Sequence, residues 1–270
     1  MNSHPTNSPL PTRTAPRLAR PVTALGWGAF KIGRNEAIKY PTPYALPSEE
    51  QAIALVHAVI ELGIRLIDTA PAYGLSEARV GLALAQLAPA VRSEIFLSTK
   101  AGEQFADGHS HYDFTAKAIT QSISQSLTRL RCERIDLAWI HSDGTDLEII
   151  GTGEAVEALA LLKRSGTIGA IGFSPKSIDG AHAALERDEV DAIMIELHEE
   201  IHENVALLAK AYARGKAVFV KKPLRSGRLD PAVALPRILA HPHVTAIVIG
   251  GFSLDRLRAN TAIVRGCATP

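Results

Sequence analysis

Asp68, Lys100 and His141 each close a short apolar run, and Tyr73 follows the first of them by five positions. A free phenol has a pKa of about 10, too high to exchange protons readily near neutrality. A neighbouring lysine cation favours the phenolate and lowers that value. Asp68 is suited to pair with Lys100 and keep it charged, and His141 to hydrogen-bond a reacting oxygen and orient it. Together the four make a general acid matched to a developing alkoxide, a chemistry that needs no metal. Seven further histidines, at 57, 109, 111, 182, 202, 241 and 243, show no metal-ligand spacing.

Four residues so far apart in sequence meet only if the fold gathers strand ends. Apolar strand-like runs alternate with amphipathic helical patterns along most of the chain. Strands are expected over 22–30, 65–68, 95–100, 135–141, 168–173, 192–197, 217–220 and 244–249. Helices are expected over 48–62, 76–87, 114–130, 154–163, 178–186, 204–213, 232–240 and 254–264. Each strand is apolar along its length, as burial on both faces requires. Eight strand-then-helix units predict a closed parallel (β/α)8 barrel, a TIM barrel in one domain over 21–270. The runner-up is an open doubly wound sheet, but Gly26-Trp27-Gly28 lacks the third glycine of its fingerprint. On the barrel, Asp68, Lys100 and His141 end neighbouring strands at the C-terminal face. The loop 31–47, with Tyr40 and Tyr44, lies on that face, and Phe30 enters it. The two tyrosines are candidates to line the substrate pocket, whereas Trp27 is expected in the core.

A net charge of +1 gives no reason to expect nucleic acid or an anionic membrane as partner. No run approaches the roughly 18 apolar residues of a membrane span. Cys132 and Cys267 lie in no ligand spacing, and a reducing, cytoplasmic location is expected. Residues 1–20 carry Arg13, Arg17 and Arg20 with no acid, in the manner of a transit peptide. Pro5, Pro9, Pro11 and Pro16 break the helix such a peptide needs, so a flexible tail is expected. Oligomeric state is not legible.

The segment Asp68-Thr69-Ala70-Pro71-Ala72-Tyr73-Gly74-Leu75-Ser76-Glu77 resembles the signature of the aldo-keto reductase family. Ser98-Thr99-Lys100 and Ile140-His141 resemble the segments that carry the family's lysine and histidine, in the same order. The resemblance covers nearly all of 22–264. It implies Tyr73 as proton donor, Asp68, Lys100 and His141 completing a catalytic tetrad, and hydride transfer from NADPH to an aldehyde or ketone. It implies that Phe30, where the family often has a tryptophan beside the nicotinamide, lines the pocket, and it also implies cofactor contacts. Ser174 matches a serine that holds the nicotinamide amide, though Pro175 stands where the family has asparagine, and Met194 where it usually has glutamine. Lys221 and Lys222 occupy the stretch of a stacking aromatic. They are open to a role toward a pyrophosphate or an anionic substrate, or to a solvated loop. Ser253 and Arg256 match a 2′-phosphate site and Asn260 an adenine contact. Two rivals stand beside this reading. One is a cofactor-sensing barrel with little turnover. The other is a lyase using Lys100 as a Schiff base, which pairing with Asp68 would disfavour.

Overall fold

The computed structural model describes residues 9–38, 43–198 and 204–267. Eight parallel strands close into a barrel: β1 Leu25–Gly28, β2 Leu66–Asp68, β3 Phe96–Ala101, β4 Ile135–His141, β5 Ile168–Ser174, β6 Ala192–Glu196, β7 Ala217–Lys221 and β8 Ala246–Gly250. They are hydrogen-bonded in chain order, and β8 closes on β1 through Ile247–Leu25 and Gly250–Gly28. The helices that return the chain are α1 Glu49–Glu61, α2 Ser76–Ala85, α3 Ala116–Leu130, α4 Glu154–Arg164, α5 Ile178–Glu186, α6 Asn204–Ala213, α7 Pro231–Leu239 and α8 Leu254–Arg265. The closed barrel excludes the open sheet. None of the described helices is long and apolar enough to cross a membrane.

Local chemistry sets the helix boundaries. Ser48 accepts from Gln51 N at 3.2 Å while Gln51 Oε1 accepts from Ser48 N at 2.9 Å, a reciprocal cap that starts α1. Pro231 occupies the first position of α7, one residue earlier than expected, with Asp230 as its cap.

Strand alternation divides the core into two shells. Outward residues such as Ile67, Ile140, Phe173, Val220 and Ile249 pack under the helices. Inward residues such as Leu66, Phe96, Leu137, Trp139, Met194 and Phe219 fill the barrel. Trp139 and Phe219 meet edge to face at 5.1 Å in its middle. Gly172 makes room for them, since a Cβ there would lie 2.0 Å from the Trp139 ring.

The flexible tail expected over 1–20 does not hold for 9–20. Thr12–Arg13 pairs antiparallel with Val22–Thr23, which splits the expected first strand and leaves β1 to begin at Leu25. Ala15 and Leu18 join the inner core cluster and Leu10 the outer one. Arg13 donates to the carbonyls of His241 and Val244, at 3.1 and 2.5 Å. Arg17 donates to Arg214 O, and Arg20 makes an ion pair with Asp136 at 2.8 Å. The three arginines thus bind carbonyls and a carboxylate at the barrel's N-terminal end.

Candidate active site

The inward parity of each strand decides what reaches the open C-terminal end. Asp68, Lys100, His141, Ser174, Glu196 and Lys221 share the parity of the inner core residues on their strands. His141 stands beside Ser174, and Glu196 beside Lys221, in the ladder. All six line one cavity of about 700 Å³, together with Tyr73, Phe30, Pro175 and Met194. Glu196 therefore faces the cavity.

Tyr73 is delivered by a single 3-10 turn, Pro71–Tyr73, after β2. That turn is fixed from the β1 side, where Leu75 N donates to Gly33 O at 3.1 Å. Lys100 Nζ lies 2.5 Å from Asp68 Oδ2 and donates to Thr69 O at 2.9 Å. Its distance to the Tyr73 ring centre is 4.7 Å. Ser98 Oγ donates to the other Asp68 oxygen at 2.7 Å. The Tyr73 and His141 rings are nearly perpendicular, 6.4 Å apart, and Phe30 packs edge-on to Tyr73 at 5.0 Å. The four residues expected to meet are thus brought together at one place.

Their electrostatics differ from expectation in one respect. Burial pushes the Tyr73 phenol above its ordinary pKa, and the opposing pull of Lys100 does not offset it. The expected lowering fails because the surrounding protein desolvates the phenol, which disfavours the anion. Burial alone would lower the Lys100 pKa, but Asp68 and Tyr73 outweigh it and hold the ammonium above its usual value.

A hairpin that the strand pattern did not announce supplies a further acid. Glu103–Ala106 pairs with His109–Tyr112 in the loop after β3. Glu103 Oε2 lies 2.7 Å from His141 Nδ1. Burial would raise the Glu103 pKa, yet His141, Ser110 and Tyr112 together bring it down to about 2. Burial holds His141 below its ordinary value, against the pull of Glu103. The signal for the hairpin is in the sequence: Asp107-Gly108 is a two-residue turn pair, with both residues at positive φ.

The remaining candidates fall in a second cleft of about 510 Å³, lined by Lys31, Lys222, Phe252, Ser253, Arg256 and Asn260. It shares Lys222, Ser226, Val248 and Gly250 with the first cavity, so the two are continuous. Ser253 caps α8, whose N-terminus opens there, with Arg256 in its first turn. Lys31, absent from the sequence expectations, has its pKa lowered by burial and by Arg256, so two cations crowd this end. Tyr44 is not among the residues lining the Tyr73 cavity. It packs on Phe252 at 5.6 Å, beside the second cleft. Tyr40 lies outside the described residues. Among those described, no group of three or more His, Cys, Asp or Glu is placed to hold a metal.

The family model described as Aldo/keto reductase family matches residues 24–237. The chain is 31% identical to the L-galactose dehydrogenase of Arabidopsis thaliana, over 90% of this chain and 84% of that protein. It is 33% identical to the D-threo-aldose 1-dehydrogenase of a Pseudomonas species, over 68% of this chain and 59% of that protein. A crystal structure from Pseudomonas aeruginosa assigned to the aldo-keto reductases is 34% identical, with a TM-score of 0.83 and 94% of each chain covered.

Proposed function

This chain belongs to the aldo/keto reductase family of oxidoreductases, and from that premise we propose that it reduces the carbonyl of a small molecule with NADPH. The observation that carries this reading is Tyr73 in contact with the buried Lys100–Asp68 pair, in a cavity continuous with a cationic cleft. The donor set of that cleft suits a dinucleotide phosphate. It combines Arg256, Lys31 and Lys222 with the N-terminus of α8. In this reading Ser253 and Arg256 take the 2′-phosphate, Asn260 the adenine, and Ser174 the nicotinamide amide. When bound, NADPH supplies the hydride for the carbonyl carbon.

The protein's own part is positioning and proton supply. Tyr73 gives its hydroxyl proton to the carbonyl oxygen as negative charge develops there. A raised phenol pKa keeps that proton in place until the alkoxide forms. Lys100, held charged by Asp68, stabilises the phenolate left behind. His141 Nε2 orients the same oxygen when the ring is protonated, with Nδ1 2.7 Å from Glu103 Oε2. Phe30 forms part of the substrate wall. The two named relatives act on sugars by name, so hydroxylated aldehydes are the first substrates to test.

Tyr73→Phe is expected to abolish NADPH oxidation with a panel of aldehydes while leaving NADPH affinity nearly intact. Unchanged turnover in that variant removes Tyr73 from the chemistry. Absence of NADPH binding to the wild type, by tryptophan fluorescence and calorimetry, removes the reading as a whole.

A further inference from the structure

Lys221 is an inward ammonium in the wall of the cavity, and it has no role in the proton chemistry described above. Its Nζ donates to Ser174 Oγ at 3.0 Å and to Pro175 O at 2.9 Å, two neutral acceptors. The nearest acid in its ladder, Glu196, is an ion-pair partner of Lys222. Among the described residues no acid forms an ion pair with Lys221, so the cavity carries its charge on the wall that β5, β6 and β7 present toward the second cleft.

The position follows from the path between the two cavities. A dinucleotide whose phosphates sit at α8 reaches Tyr73 only across the ends of β7 and β8, past Lys222, Val248 and Gly250. Its nicotinamide must then lie near Ser174 and Lys221 to approach a carbonyl held by Tyr73. The oxidised ring carries one positive charge that the reduced ring lacks. Outside the ring the two ligands are the same.

We propose that the Lys221 ammonium makes the site discriminate against the oxidised cofactor, so that the protein binds NADPH in preference to NADP+ and works as a reductase. This inference rests on the NADPH reading above and adds to it a residue that favours the reductive direction by disfavouring the oxidised cofactor. In that direction hydride goes to the carbonyl carbon, the Tyr73 proton goes to the oxygen, and the alcohol leaves with an oxidised cofactor that Lys221 repels. The relatives named as dehydrogenases are named for the opposite direction, so the point is not contained in the family match.

The environment of Lys221 makes the effect dependent on pH. Burial and then Lys222 bring its pKa down to about 8, with a smaller push from Lys100 and opposing pulls from Glu196 and Asp146. His141, across the ladder from Ser174, titrates below its ordinary value and is neutral over that range. Deprotonation of Lys221 removes the repulsion, so NADP+ affinity should rise with pH while NADPH affinity changes less. Taking the ratio of the two affinities cancels the titration of the phosphates, which both ligands share.

Calorimetric titration of NADPH and NADP+ into the full chain tests this. The wild type at neutral pH is expected to bind NADPH about tenfold tighter than NADP+ or more. That ratio should shrink toward one in Lys221→Met and persist in Lys221→Arg. It should also shrink in the wild type between about pH 7 and pH 9.5, a readout that needs no variant to fold. A ratio near one in the wild type, or one unchanged by both Lys221→Met and pH, overturns the inference while leaving NADPH binding intact. Loss of binding of both forms overturns the parent reading instead.

Discussion

Lys100 pulls the Tyr73 phenol pKa down and burial pushes it up, and burial prevails. A half-buried neutral phenol with a raised pKa is a poor acid at rest and becomes a good one only when an alkoxide forms beside it. That suits a donor that must not lose its proton beforehand. The partner of His141 matters for the same reason. With Nδ1 facing the Glu103 carboxylate, the neutral ring carries its proton there and presents a lone pair at Nε2. Nε2 donates to a carbonyl oxygen only in the protonated ring. Reduction should therefore slow as pH rises through the His141 pKa, which burial has lowered. Glu103 opposes that lowering, so Glu103→Gln should move the decline to still lower pH. Profiles of kcat against pH for the two proteins check this, and coincident profiles would separate Glu103 from the proton chemistry.

The delivery of Tyr73 is a matter of elements. Its 3-10 turn hangs between β2 and α2 and rests against the turn that follows β1. A Cβ at Gly33 would lie 2.0 Å from Tyr73 O and 2.2 Å from Ser76 N, both backbone atoms with no freedom to yield. Gly33→Ala must therefore displace the turn. A misplacement of about 1 Å costs roughly 10–100-fold in rate. That loss is expected in kcat, with NADPH binding at the α8 end retained, and stopped-flow turnover beside calorimetry separates the two. Equal activity in the variant would mean that the turn tolerates movement. The ladder acts at the same scale, since the inward parity of β4 through β7 places His141, Ser174, Glu196 and Lys221 in one cavity.

For the whole molecule, the N-terminal segment closes one end of the barrel and the site occupies the other. Leu10, Ala15 and Leu18 are buried, and Arg13, Arg17 and Arg20 tie the segment to α7, α6 and β4 through carbonyls and Asp136. Removing residues 1–20 takes away two buried leucines, and with them about 3 kcal/mol or more of apolar burial. The expected result is a melting temperature lower by roughly 10 °C, read by circular dichroism, and an unchanged melting temperature would show that the segment adds nothing. The composition of this stretch, rich in proline and arginine, misled because no local pattern marks a segment whose partners are carbonyls more than a hundred residues away. The hydrophobic alternation of strands and helices was legible because period and length are local properties, and eight such units without a Gly-rich fingerprint favour a closed barrel. The order Asp68, Tyr73, Lys100 and His141 was legible because strand ends in a barrel converge whatever separates them in the chain. The pKa of Tyr73, the direction of Glu196, the contact of Glu103 with His141 and the neutral partners of Lys221 were decided by tertiary structure. Desolvation and charge coupling are sums over neighbours that only the closed barrel brings within reach.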